Sequence, residues 1–69
     1  MEIKLYSTGC PKCTVLQKKL DSKNIKYTKI TDVDTMKELG IVQVPVLEID
    51  GILYTFKEAN TWVEEYNGN

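Results

Sequence analysis

A chain of 69 residues with 42% hydrophobic residues and a net charge of −1 has room for a single domain, 1–69, with a small core. It carries nine Lys but neither Arg nor His. That excludes Ser/His/Asp and Cys/His catalysis, His-based zinc sites, and the guanidinium fork that reads phosphates and bases. No apolar run approaches the roughly 18–20 residues that cross a bilayer, and no signal-peptide pattern opens the chain. With a pI of about 5.3, the expectation is a cytoplasmic monomer with no nucleic-acid or membrane partner.

Charge divides the chain. Residues 1–30 carry seven Lys against Glu2 and Asp21, while residues 31–69 carry Lys37 and Lys57 against eight acids. The simpler consequence is two halves that attract one another; the alternative is a field that steers a partner.

In chain order, Glu2 to Ser7 alternates polar and apolar, with Ile3 and Leu5 on one face, and predicts a strand. Thr8-Gly9 breaks it, and a helix follows from Pro11 to about Lys23. Val15, Leu16 and Leu20 form its apolar stripe, and Lys12, Lys18, Lys19 and Lys23 its wet side. Pro11 suits the first helical position, where a missing N–H costs nothing. Ile25 to Ile30 alternates again and predicts a second strand. Asp32 or Asp34 caps a short helix through Met36 and Leu39 that Gly40 ends. Val46 to Ile49, the turn Asp50-Gly51 and Ile52 to Tyr54 predict a hairpin. Thr55-x-x-Glu58 has the form of a capping box, opening a helix that buries Phe56, Ala59, Trp62, Val63 and Tyr66. Asn67-Gly68-Asn69 reads as a frayed end. The order β-α-β-α-β-β-α predicts an α/β fold, a four-stranded mixed sheet flanked by three helices.

The two cysteines stand three apart, Cys10-Pro11-Lys12-Cys13, where the first strand meets the first helix. A buried structural pair would sit in an apolar run, zinc would need further ligands, and a disulfide across so short a loop would remove little unfolded-state entropy. A CxxC after a strand in a βαβ pattern points instead to redox chemistry. With Pro11 at the first helical position, Cys10 is the N-cap. Its sulfur lies where a cap accepts the N–H groups of Lys12 and Cys13, and the helix dipole and Lys12 favour its thiolate. Cys10 is therefore the expected nucleophile. Cys13, roughly 60° round the helix and deeper, is the expected resolving thiol. Pro11 and Lys12 support the site. Val44-Pro45 opens the third strand and, from the residues alone, is an ordinary trans edge proline.

As a set, these residues resemble the glutaredoxin branch of the thioredoxin-like superfamily over essentially the whole chain. The resemblance implies a thioredoxin-like (glutaredoxin) fold in which Pro45 is cis and faces the cysteines. The backbone of Val44 would then pair with an extended substrate segment. Glutathione-using glutaredoxins usually carry a Lys three residues before the first Cys, a Thr before Val-Pro and a Gly-Gly-x-Asp turn opening the last helix. Here those positions are Ser7, Gln43 and Thr55-Phe56-Lys57-Glu58; Lys12, Lys57 and Glu58 are the groups able to substitute. Leu39 to Val46 and Phe56-Lys57 are more similar to NrdH-type redoxins, a family reduced by thioredoxin reductase to serve ribonucleotide reductase.

The leading expectation is a dithiol–disulfide oxidoreductase acting on protein disulfides through a redox-active Cys10–Cys13 disulfide. It needs no bound cofactor and no metal, since electrons arrive from a flavoprotein such as thioredoxin reductase or from glutathione. One alternative is a glutathione-dependent glutaredoxin that removes glutathione from proteins. Another, of a different class, is a metal-binding module using both thiolates as soft ligands. Tyr6 and Tyr54, in the first instance sheet residues, are also candidates for stacking on substrate, Tyr6 being the substrate-site candidate.

Overall fold

The computed structural model describes residues 1–66, so the expected frayed end at 67–69 lies outside the described residues. The elements are β1 (Ile3–Tyr6), α1 (Pro11–Ser22), β2 (Thr28–Ile30), α2 (Val33–Glu38), β3 (Val46–Ile49), β4 (Ile52–Tyr54) and α3 (Phe56–Glu65), in the order read from the sequence. The sheet order is β2-β1-β3-β4. β1 and β2 are parallel, with Leu5 opposite Lys29 and Tyr6 opposite Ile30. β3 runs antiparallel to both β1 and β4. Asp50 (φ 49°) and Gly51 (φ 88°) are both left-handed, the backbone that a two-residue type I′ turn requires.

Strand alternation sorts the core onto two faces. Ile3 and Leu5 of β1 and Leu47 and Ile49 of β3 face Leu16 and Leu20 of α1 and Ala59 and Val63 of α3. Leu5, Leu16, Leu20 and Leu47 are fully enclosed, each contributing about 1.5–3 kcal/mol. On the other face Tyr6 and Val46 pack with Met36 of α2. The six residues of α2 cover only that end of the second face. Lys4 and Glu48, paired at 3.9 Å, lie on its open remainder.

Several expectations change. Val15 is exposed, because at 100° per residue it lies well off the stripe, which is made by Cys13, Leu16 and Leu20 instead. β2 begins at Thr28 rather than Ile25. Ile25 is buried but belongs to the end of α1: Asn24 turns left-handed at φ 57°, and Ile25 N–H reaches back to the Leu20 carbonyl at 3.1 Å. This is a Schellman ending with its apolar clasp between Ile25 and Leu20. α2 ends the same way, with Gly40 left-handed and Ile41 N–H on the Met36 carbonyl at 2.9 Å. Asp32 caps α2, its carboxylate accepting Asp34 N–H at 3.1 Å. In α3, Ala59 and Val63 are buried, whereas Phe56, Trp62 and Tyr66 are only half-buried and pack against the core edge.

The charge division is used in packing. Lys19 of α1 pairs with Glu64 of α3 at 3.0 Å and donates to Asn60. Lys23 donates to the Tyr66 carbonyl at 3.1 Å, a cation at the negative end of α3. Both lysines are thus half-buried rather than free in water. Among the described residues no helix is long and apolar enough to cross a membrane.

Candidate functional site

The end of β1 passes through Ser7, Thr8 and Gly9 into the N-terminus of α1. Gly9 at φ 86° supplies the turn, and Pro11 begins the helix. Cys10 is the N-cap, in extended backbone, and its sulfur accepts the Cys13 N–H at 3.2 Å. The second expected donor, Lys12 N–H, does not reach it; a single N–H serves the cap. Both cysteines are free thiols, Cys10 partly accessible and Cys13 buried at 1% exposure. Cys10 is thus the accessible sulfur of the pair.

Burial alone would push the Cys13 thiol up. It is outweighed by hydrogen bonds with the Cys10 and Ser7 side chains and with the N–H groups of Thr8 and Cys10, which bring it from 9.0 down to about 7. The fold thus lowers the thiol of the inner cysteine. The cause is local: the 7–10 loop surrounds the inner sulfur with donors.

The Val44–Pro45 peptide is cis. It brings the Val44 carbonyl to 3.9 Å from the Cys10 sulfur, and Pro45 is fully buried beside it. Lys12 does not point at the sulfurs; its ammonium lies 5.6 Å from the centre of the Phe56 ring. A small pocket joins Lys12, Gln43, Val44, Pro45, Thr55 and Phe56. On the other side, a groove between Thr8 and α2 is lined by Val33, Met36, Ile41, Val42 and Val44. Val42 is 94% exposed, an apolar side chain with no partner within the fold.

Tyr6, expected as the substrate-site candidate, is placed in the second core cluster and not on the surface. It is 2% exposed and its hydroxyl donates to Glu48 at 2.8 Å. Burial first, then that carboxylate, raises its phenol to about 12. Tyr54 is half-buried on the main core face. Ser7 enters the sequence argument only as the position where a lysine is absent, yet it is wholly buried and contributes to the lowering of the inner thiol. A polar residue closing an apolar strand was the available signal. Among the described residues no group of three or more His, Cys, Asp or Glu side chains is placed to hold a metal ion.

Four strands, three helices, a cap-position cysteine with a second one turn inward, and a cis-proline loop against them define a thioredoxin-like redoxin. Residues 1–56 match the model of a thioredoxin domain family, and the chain belongs to that family. It is 32% identical over 59 residues to a thioredoxin of Methanothermobacter thermautotrophicus, covering 77% of each chain. It is 39% identical over 66 residues to an uncharacterized glutaredoxin-like 8.6 kDa protein in the rubredoxin operon of Clostridium pasteurianum, covering 83% of this chain and 88% of that one. No solved structure gives a significant match.

Proposed function

We propose that this redoxin is a dithiol–disulfide oxidoreductase that reduces protein disulfides in the cytoplasm. The observation that carries the reading is the asymmetry of the pair: Cys10 is reachable at the helix cap, and Cys13 is buried with its thiol lowered to about 7. The Cys10 thiolate attacks one sulfur of the substrate disulfide, and the other sulfur leaves as a thiolate and takes a proton from water. Cys13 then attacks the Cys10 sulfur, closing the Cys10–Cys13 disulfide and releasing the second substrate sulfur. Two electrons pass to the substrate, and two from an external thiol donor restore the dithiol.

A flavoprotein reductase is the better-supported donor. Of the groups at the positions where glutathione would be held, all but the exposed Lys57 are buried, engaged or neutral. Ser7 is buried and Gln43 uncharged. At the start of α3, Glu58 accepts Thr55 N–H at 3.1 Å while Thr55 Oγ accepts Glu58 N–H at 3.4 Å. That closed capping box, with its own carboxylate, leaves a poor seat for another carboxylate. A role as electron donor to an enzyme such as ribonucleotide reductase is supported by the resemblance of Leu39 to Val46 and of Phe56-Lys57 to NrdH-type redoxins.

Two experiments test this. Offered a protein disulfide such as insulin, Cys13→Ser should accumulate a mixed disulfide through Cys10, seen by intact mass, and Cys10→Ser should form none. Adduct formation by Cys10→Ser alone would reverse the roles. NADPH consumption should couple through thioredoxin reductase and not through glutathione with glutathione reductase; the opposite pattern would make the protein a glutaredoxin.

A further inference from the structure

Lys12 stands between the two cysteines, exposed in the first turn of α1. Its ammonium lies 5.6 Å from the centre of the Phe56 ring, at the start of α3. The small pocket from this ring to the cis peptide is lined by Lys12, Gln43, Val44, Pro45, Thr55 and Phe56, and no carboxylate lines it. Among the described residues the ion pairs are those of Lys4 with Glu48 and of Lys19 with Glu64. Lys12 thus has an aromatic face and no anion.

The acids nearest the pocket in sequence are both engaged. Glu48 accepts the Tyr6 hydroxyl at 2.8 Å, and Glu58 accepts the Thr55 N–H and hydroxyl, each at 3.1 Å. Lys57, beside Phe56 in the chain, is exposed and brings a second positive charge to the same end of α3. An exposed contact between a cation and a ring is weak, and the lysine stem is flexible. The ammonium can therefore leave the ring for a carboxylate at little cost.

We propose that Lys12 is a specificity-determining residue that reads a carboxylate side chain beside the attacked cysteine of a protein substrate. The inference rests on the redox reading above and names the substrate class which that reading leaves open.

The pocket begins at Val44, whose carbonyl is 3.9 Å from the Cys10 sulfur. A segment that delivers its disulfide to Cys10 passes this pocket, and an Asp or Glu next to its cysteine comes within reach of Lys12. The ion pair forms as substrate docks and lasts through the attack. Phe56 keeps the apolar stem of the lysine while its charge turns to the substrate.

The test uses reduced Cys13→Ser, in which Cys10 is the sole cysteine, and two aryl disulfides, anionic dithiobis(nitrobenzoate) and neutral dithiodipyridine. With either, the Cys10 thiolate attacks one sulfur, a mixed disulfide forms, and one coloured aryl thiol is released. The ratio of the two rates cancels any change in the Cys10 thiolate itself. That ratio should fall about two- to fivefold in Lys12→Gln and by a similar factor again in Lys12→Glu. Added salt should shrink the difference. A ratio that neither substitution moves would overturn the proposal. Among peptide disulfides, Glu beside the cysteine should react faster than Gln, and Lys12→Glu should reverse that order. Glutathione disulfide, for which the site offers no further cradle, should react more slowly than the Glu peptide. The opposite ranking would give the carboxylate site to glutathione and overturn the proposal. These exchanges are stoichiometric and need no turnover, so they decide even if the protein fails to reduce insulin; that failure would count against the redox reading alone.

Discussion

The Cys10 sulfur lies 3.9 Å from the carbonyl oxygen of Val44, although 34 positions separate the two residues. The contact joins the start of α1 to the loop before β3 and sets a backbone edge beside the reactive sulfur. A chain laid in extended form along Val44 would carry its own disulfide to Cys10 without rearrangement of the site. A mostly apolar groove lined by Val33, Met36, Lys37, Ile41 and Val42 also borders Val44.

Val42 offers a clean probe of that surface, because a side chain 94% exposed holds nothing together. Val42→Asp should leave thermal stability within about 0.5 kcal/mol of the original. It should lower kcat/KM for a protein disulfide by roughly three- to tenfold, chiefly through KM. The rate on a small aryl disulfide, which does not extend to the groove, serves as the reference. Equal losses on both substrates would place Val42 outside substrate docking.

Cys13 ties stability to pH in the reduced protein. Its thiol is lowered in the fold from 9.0 to about 7, so the fold favours the thiolate. The stabilisation is full above the unfolded value and fades as pH falls through the folded one. Urea denaturation of reduced protein should therefore show a gain on the order of 1–2 kcal/mol between about pH 6 and about pH 9. The oxidised protein and Cys13→Ala, having no such thiol, should lack that gain. A reduced protein indifferent to pH over this range would show that the donors around Cys13 do not act on it.

What was legible in the sequence is what a few neighbouring residues decide. Cys10 before Pro11, Asp50-Gly51 and the Thr55…Glu58 pair each specify backbone within one turn, and each occupies the predicted geometry. Ile25 was misassigned because alternation extends a strand on paper, while a left-handed Asn24 folds the residue back onto Leu20. Ser7 and Tyr6 were misjudged for a related reason. Both sit where β1 runs under the active loop, and their roles follow from Cys13 and Glu48, residues brought to them only by folding. The cis peptide at Pro45 followed from family resemblance and not from the residues themselves.

Tyr6 and Glu48 make the stability of the second sheet face depend on alkaline pH. Burial first, then the hydrogen bond and charge of Glu48, raise the Tyr6 phenol from 10.0 to about 12. The fold thus favours the protonated phenol: its contribution is full below the unfolded value and is lost as pH rises through the folded one. Stability should fall by on the order of 2 kcal/mol between about pH 10 and about pH 12. Tyr27, whose hydroxyl donates to Asp21 at 3.1 Å, is also raised and contributes part of the fall. Tyr6→Phe should reduce the alkaline loss and cost about 1–2 kcal/mol near neutral pH, since Glu48 then keeps only the 3.9 Å contact with Lys4. Ultraviolet titration of tyrosinate absorbance gives an independent reading, because the last of the four tyrosines to ionise should vanish in Tyr6→Phe. If the late-ionising tyrosine persists in that variant, the Tyr6–Glu48 bond is not what holds the phenol protonated.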